Sequence, residues 1–132
     1  MKVIDKIAFI ELKNRKILSS KSKGKNKFYI PGGKREKGET DHQTLIREVK
    51  EELSVAINPN SIKYFGTFSA QSDGEKKGII VKMTCYKATF TGNLTPNNEI
   101  EELKWLSFSD LDIISEVDKK IFHHLKESKE LK

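Results

Sequence analysis

Residues 31–53 read PGGKREKGETDHQTLIREVKEEL, and this stretch decides the fold because it joins a glycine loop directly to a helix. Thr40 is followed three residues later by Gln43, a capping-box pattern that predicts the start of the helix. Apolar residues then recur at helical spacing and predict one buried stripe, namely Leu45, Ile46, Val49 and Leu53. The opposite side of the helix remains available for polar side chains.

Three glutamates crowd the polar side of this helix. At about 100° per residue, Glu48, Glu51 and Glu52 fall on one face. Like charges three or four residues apart destabilise a helix, so this crowding needs compensation. Arg47 can offset part of the repulsion, and a bound divalent cation would offset more. Dense oxygen ligands favour Mg²⁺, with Mn²⁺ as a substitute. A solvated acidic face is the alternative interpretation.

The loop before the helix favours an anionic ligand. Gly32 and Gly33 permit close backbone approach, and Gly38 permits a turn. A glycine loop that enters a helix N-terminus commonly binds anions, although such a loop alone is weak support. Alternating lysines precede it at Lys21, Lys23, Lys25 and Lys27. Carboxylates, glycines and lysines together indicate a site for a metal ion and a diphosphate.

The remaining chain predicts a single domain, 1–132, of the α/β (α+β) class. Strands are predicted at 3–12, 17–20, 28–30, 62–70, 79–90 and 100–108, from β-branched and aromatic content. Residues 21–26 are predicted to form a mobile basic loop and 71–78 a polar loop. A second amphipathic helix is expected at 115–128. This order predicts an α/β/α sandwich with a mixed, mostly antiparallel sheet between helices.

Composition limits the location and the partners. No apolar run approaches the roughly 20 residues that cross a bilayer, so no membrane role is expected. The N-terminus is a poor signal peptide, because acidic residues interrupt its apolar part. One cysteine, Cys85, excludes an internal disulfide and predicts a cytoplasmic location. The net charge of +6 favours anionic partners, although surface lysines that solvate the protein are the preferred explanation of the charge.

Residues 33–55 resemble the signature of the Nudix hydrolases, G-x5-E-x7-R-E-U-x-E-E-x-G-U, in which U is aliphatic. The fixed positions of this signature are matched in register by Gly33, Glu39, Arg47, Glu48, Glu51, Glu52 and Val55. One fixed position departs, because Ser54 stands where the family has glycine. That glycine is expected to end the helix in a left-handed conformation. Serine there costs about 1 kcal/mol and removes no ligand.

The resemblance implies cleavage of a nucleoside diphosphate linked to a group X, with water attacking phosphorus. By position, Glu48, Glu51 and Glu52 match the metal-binding glutamates, and the Gly32 carbonyl matches a backbone ligand. Arg47 matches the arginine that orients the glutamates. Glu39 matches the glutamate that supports the loop–helix geometry.

The general base stays open between the signature helix and a later loop. Residues 97–105, NNEIEELKW, offer Glu99, Glu101 and Glu102 for a metal or base role. A charged strand edge that discourages pairing explains this cluster equally well.

Substrate contacts are expected from the glycine loop and the residues around it. These residues are Gly33, Lys34, Phe28, Tyr29, Lys21 and Lys23. One of Phe28 and Tyr29 is expected to stack on a base and the other to join the core, because neighbouring strand residues face opposite sides. His123 and His124 are expected to be structural or surface residues, His42 to be exposed and Cys85 to lie in the core.

The predicted partner is a small-molecule nucleotide: a nucleoside triphosphate, an oxidised deoxynucleoside triphosphate, a nucleotide sugar, a dinucleoside polyphosphate or ADP-ribose. A catalytically weak nucleotide sensor is one alternative, which the intact glutamate set disfavours. Removal of an RNA 5′ pyrophosphate is another; the net charge permits it, but no aromatic-rich RNA-binding motif supports it. A homodimer is compatible with the sequence.

Overall fold

The computed structural model describes residues 2–72 and 77–132. The predicted loop at 71–78 therefore lies partly outside the described residues. The strands are β1 Lys2–Phe9, β2 Leu12–Lys13, β3 Lys16–Ser22, β4 Gly32–Gly33, β5 Ala56–Ile57, β6 Lys63–Gln71, β7 Ile79–Lys87, β8 Phe90–Thr91 and β9 Ile100–Leu106. The helices are α1 Asp41–Leu53 and α2 Glu116–Glu127, with short 3-10 helices at Pro59–Ser61 and Phe108–Ile113.

A four-stranded sheet in the order β4-β1-β7-β6 forms the centre of the fold. β1 and β7 are parallel, whereas β4 and β6 pair antiparallel with their neighbours. β2, β3 and β9 form an antiparallel sheet, and β5 pairs with β8. The predicted mixed, mostly antiparallel architecture is confirmed.

The central strand β1 separates two hydrophobic cores because its side chains alternate between the faces of the sheet. Ile7 and Phe9 pack on the side of α1, in the core that contains Leu45, Val49 and Leu53. Ala8, and Ile10 just beyond the strand, pack on the other side. The α2 residues of that second core are Val117, Ile121, Phe122 and Leu125. The sheet therefore lies between the two helices, as predicted.

Helix α1 begins and ends as its sequence predicts. The Thr40 hydroxyl accepts from the Gln43 amide, and the Gln43 side chain accepts from the Thr40 amide, which completes the capping box. Ser54 adopts φ 64° and ψ 26°, the left-handed conformation expected at the glycine position of the signature. The serine therefore keeps the helix exit that glycine would provide, with some steric strain.

Several predicted boundaries are wrong, and the errors concentrate beside the glycine loop. Strand β3 extends through Lys21 and Ser22, which were expected in a mobile loop, because both pair with β9. Phe28 and Tyr29 form only isolated bridges instead of a strand. Gly32–Gly33, which was expected in a loop, pairs with β1 as β4.

None of the helices among residues 2–72 and 77–132 combines the length and the apolar character that a membrane span requires.

Cys85 provides a direct test of the core. The thiol is fully buried in the core beside α2, and burial raises its pKa to about 12. We expect a disulfide reagent to leave the native thiol unmodified at neutral pH and to label one thiol per chain in denaturant. Rapid stoichiometric labelling of the native protein, measured by absorbance, would contradict this packing.

Candidate active site

The glycine loop and α1 meet so closely that side chains are excluded at two positions. Gly32 has φ 149°, and a Cβ atom there would collide with the backbone carbonyl of Ile7. A Cβ atom on Gly33 would collide with the carboxylate of Glu48. The first glycine therefore permits pairing with β1, and the second leaves the space that Glu48 occupies.

Arg47 links the loop to the carboxylates of the helix. Its Nε and Nη2 donate to the two carboxylate oxygens of Glu39, at 2.7 and 2.8 Å. Nη1 donates to Glu48 at 2.8 Å and to Glu51 at 3.4 Å. Nη2 also donates to the carbonyl of Lys34 at 3.0 Å. One planar guanidinium thus orients three carboxylates and one loop carbonyl.

Glu39 is held ionised between the loop and the helix. The Arg47 guanidinium is the main cause that lowers the pKa of Glu39 to about 2. The Glu36 amide donates to Oε1 at 2.8 Å, and the Thr44 hydroxyl donates to the same oxygen at 3.0 Å. These contacts agree with the supporting role that the signature implies for Glu39.

Glu52 is the buried carboxyl of the cluster. Its side chain points back to the loop, where Oε1 accepts from the Gly32 amide at 3.1 Å. Burial raises the pKa of Glu52 to about 8, and the neighbouring charges of Glu48 and Glu99 add to the rise, whereas Lys6 opposes it. Burial also raises the pKa of Glu48, although Arg47 opposes that shift. Both carboxylates lack full charge compensation from the protein.

The residues fit a hard divalent cation by donor chemistry. Among residues 2–72 and 77–132, no three acidic, His or Cys side chains already converge as a cation site. The Glu48 carboxylate accepts from Arg47, and the Glu52 carboxylate accepts from the Gly32 amide. The Glu51 side chain is exposed. However, the nearby donors are oxygens, and a cation would stabilise the charge of the buried Glu52, which accepts from the Gly32 amide.

A loop after β8 reaches the C-terminal end of α1 and carries Glu99. The Thr95 amide donates to the Leu53 carbonyl at 2.9 Å, and the Asn97 amide donates to the Glu52 carbonyl at 3.1 Å. Glu99 follows Asn98, whose Nδ2 donates to the Glu51 carbonyl at 3.2 Å. Of the three later glutamates, Glu99 therefore has its backbone beside the last turn of α1.

The other two later glutamates lie near the basic segment. Glu101 pairs with Lys21, whose ammonium also donates to the carbonyl of Lys25 at 3.4 Å. Glu102 contributes to the raised pKa of Lys21 and lies opposite it in the β3–β9 pairing. Lys21, which was predicted to bind substrate, is thus engaged with an acidic partner. The amide of Lys23 donates to the Glu99 carbonyl at 2.8 Å, so its backbone supports the loop that carries Glu99.

A cavity of about 400 Å³ opens beside the glycine loop. Gly32, Gly33, Lys34 and Glu52 line one part of it. The rest of its wall includes Lys6, Lys25, Tyr29, Gln71, Ser115 and Asp118. The cavity thus joins Glu52 to a pocket lined by lysines, by neutral polar residues and by the carboxylate residue Asp118.

The two residues of the aromatic pair before the loop have different surroundings. Phe28 is buried in the core beside α2, as one of the pair was expected to be, whereas Tyr29 lines the cavity, and its stacking on a base stays a prediction. Histidines lie elsewhere: His123 packs edge-on against Phe108, and His124 packs against Phe65 and Phe68. His42 is exposed on α1, where its ring packs edge-on against Tyr86.

Sequence reasoning missed Asp118, a buried carboxylate in the cavity wall. Its Oδ2 accepts from the Ile30 amide at 2.9 Å, which ties α2 to the segment before the glycine loop. In the sequence, Asp118 looks like an ordinary acidic residue in the first turn of a helix. Only the packing of α2 across the sheet reveals that it faces the cavity. Lys6 was missed similarly, within the apolar pattern of the first strand.

A family model described as NUDIX domain matches residues 6–125. An ADP-ribose pyrophosphatase from Methanocaldococcus jannaschii is 28% identical over 102 residues, which cover 75% of this chain. The match spans 59% of that relative, so less than two thirds of its length is represented here.

Solved structures agree with the fold along nearly the whole chain. The E. coli ORF135 protein aligns with a TM-score of 0.72 and 26% identity, covering 98% of this chain and 94% of that protein. A MutT NUDIX hydrolase from Burkholderia pseudomallei aligns with a TM-score of 0.75 and 20% identity, covering 94% and 98%.

The Arg47 contacts predict a specific dependence on the guanidinium. We expect Arg47→Lys to lower the free energy of unfolding by about 1–2 kcal/mol, because lysine keeps the charge but loses the planar set of donors. Urea denaturation followed by circular dichroism measures the change. Lys50→Arg is the matched control on the exposed side of α1 and should stay within about 0.5 kcal/mol of the wild type. Equal effects of the two variants would contradict the role of Arg47.

Proposed function

Since the chain belongs to the NUDIX family, we propose that it is a divalent-cation-dependent pyrophosphohydrolase that cleaves a nucleoside diphosphate linked to a group X. One observation carries the proposal: the cavity of about 400 Å³ that adjoins the buried Glu52 is lined by the glycine loop and by three lysines, Lys6, Lys25 and Lys34. Backbone amides and cations suit the phosphate oxygens, and carboxylates suit the metal.

Glu48, Glu51, Glu52 and the carbonyl of Gly32 would hold Mg²⁺, with Mn²⁺ as a substitute. When bound, the cation would neutralise phosphate oxygens and lower the pKa of a coordinated water. Arg47 keeps the glutamates oriented, and Glu39 fixes Arg47 from the loop side. Gly32 and Gly33 line the cavity, where the diphosphate would lie beside the loop.

The reaction proposed is hydrolysis at one phosphorus of the diphosphate. A bond forms between the water oxygen and phosphorus, and the bond from phosphorus to the bridging oxygen breaks. The products are a nucleoside monophosphate and phosphorylated X. The water gives up its proton to a carboxylate, for which Glu99 is a candidate because its loop lies against the end of the signature helix.

The pocket beyond the diphosphate determines which nucleotide binds. The aromatic residue Tyr29 and the polar residues Gln71, Ser115 and Asp118 line the same cavity. These features support a base or a sugar as the neighbouring group. ADP-ribose belongs among the substrates to test because of the archaeal relative, as do nucleoside triphosphates, oxidised forms included, and nucleotide sugars. The buried thiol of Cys85 suits a cytoplasmic setting for this activity.

The experiment that tests the activity is a nucleotide panel with Mg²⁺ and detection of released phosphate, diphosphate and nucleoside monophosphate. It should include capped or triphosphorylated RNA at several salt concentrations, since phosphate contacts to RNA give a steep salt dependence. Hydrolysis of a small nucleotide supports the proposal. Nucleotide binding without turnover would instead support a sensor module.

Glu52→Gln tests the metal assignment. We expect kcat to fall by at least about a hundredfold, because a buried metal-binding carboxylate is lost while the shape of the side chain is kept. Calorimetric titration with Mn²⁺ should show weakened binding in the same variant. The matched control is Glu127→Gln on the exposed side of α2, which should retain wild-type turnover. Full turnover in Glu52→Gln would refute the assignment.

A further inference from the structure

Ser54 departs from the family signature, and its side chain makes a contact that glycine cannot make. The residue ends α1 at φ 64°, where a residue without Cβ would be less strained. Its hydroxyl donates to the carbonyl of Thr95 at 3.1 Å. The serine therefore ties the end of the signature helix to the loop that follows β8.

The same loop satisfies carbonyl groups that the end of a helix leaves unpaired. The amides of Thr95 and Asn97 donate to the carbonyls of Leu53 and Glu52, and Asn98 Nδ2 donates to the carbonyl of Glu51 at 3.2 Å. Together with the Ser54 hydroxyl, four hydrogen bonds attach residues 95–98 to the last turn of α1. The hydroxyl contact is the one in this set that depends on the side chain of the helix end.

Glu99 is the next residue after this attached segment. Its carbonyl accepts from the Lys23 amide, so the backbone is held on both sides of the glutamate. Glu99 directly follows the residues that donate to the carbonyls of Glu51 and Glu52, so its backbone lies beside the last turn of the helix that carries the cluster. A displacement of residues 95–98 along the helix end would therefore move Glu99 relative to the carboxylate cluster.

We propose that Ser54 is a positioning residue whose hydroxyl anchors residues 95–98 to α1 and thereby holds Glu99 beside the carboxylate cluster. This inference rests on the proposed function, because it assigns the orientation of one carboxylate of that site. The strain of a left-handed serine is offset by the hydrogen bond to Thr95. The departure from glycine is then a feature of this site and not a loss.

Ser54→Gly separates anchoring from stability. Glycine removes the hydroxyl and also relieves the strain, so the thermal midpoint should stay close to that of the wild type. The amides of Thr95 and Asn97 should exchange hydrogen about fivefold faster, because one anchoring bond is lost. With the preferred nucleotide, kcat should fall about fivefold while KM stays nearly constant. A purely structural role would instead make kcat follow the thermal midpoint.

Two further comparisons make the test specific. In a double-mutant cycle with Glu99→Gln, Ser54→Gly should add no further loss of kcat, because both changes act through one carboxylate. Ser128→Gly is the matched control: its hydroxyl donates to the Leu125 carbonyl at the end of α2, and its loss should leave kcat and both amides unaffected. Ser54→Ala keeps the strain without the hydroxyl and should reproduce the faster exchange.

The outcomes separate this inference from the proposed function. Unchanged exchange at Thr95 and Asn97 in both Ser54 variants would overturn the anchoring. Faster exchange with wild-type kcat, or additive losses in the cycle, would overturn the link to Glu99 while the hydrolase assignment stands. A wild-type protein that hydrolyses no nucleotide would overturn the proposed function and, with it, the link to Glu99; the exchange rates would still decide the anchoring.

Discussion

The guanidinium of Arg47 is the interaction on which the site depends. It connects Glu39 on the loop with Glu48 on the helix, and its three nitrogens all take part. Without a cation at this point, the carboxylates of α1 would repel one another and the loop would lose its tie to the helix. Gly33 contributes to the same geometry, because the carboxylate of Glu48 occupies the space that a side chain at position 33 would need. One arginine and one glycine thus give the carboxylates a defined geometry.

Two features at the end of α1 carry a cost. Ser54 adopts a positive φ value, and Glu52 is buried two residues before it. A buried carboxylate destabilises an isolated domain, so the place of Glu52 in the cavity wall is more typical of a functional site than of a structural scaffold. The two hydrophobic cores on either side of β1 supply the packing that holds them.

Local sequence patterns predicted the parts of the structure that local physics controls. The capping box at Thr40, the buried stripe of α1 and the left-handed helix exit at Ser54 each depend on residues within a few positions. The placement of one residue of the pair Phe28 and Tyr29 in the core was also expected from alternation. The approach of Glu39 and Arg47 came from the family signature, and the atomic contacts agree with it.

Long-range packing determined the parts that sequence reasoning missed. Lys21 was expected in a free loop, but its pairing with β9 depends on residues about eighty positions later. Asp118 enters the cavity wall only because α2 crosses the sheet beside the glycine loop. Neither arrangement has a local signal, because strand pairing and helix placement are set by the whole core.

The parallel pairing of β1 with β7 has a consequence for how the chain folds. Lys2 lies opposite Ile79 and Phe9 opposite Tyr86, so one edge of β1 pairs only with residues from the second half of the polypeptide. Contacts this distant in sequence slow the search for the native state, whereas α1 forms from neighbouring residues. During synthesis, the acidic helix would emerge from the ribosome well before the strand that completes the sheet beneath it. The nascent chain would therefore carry its clustered negative charges exposed until translation has passed β7.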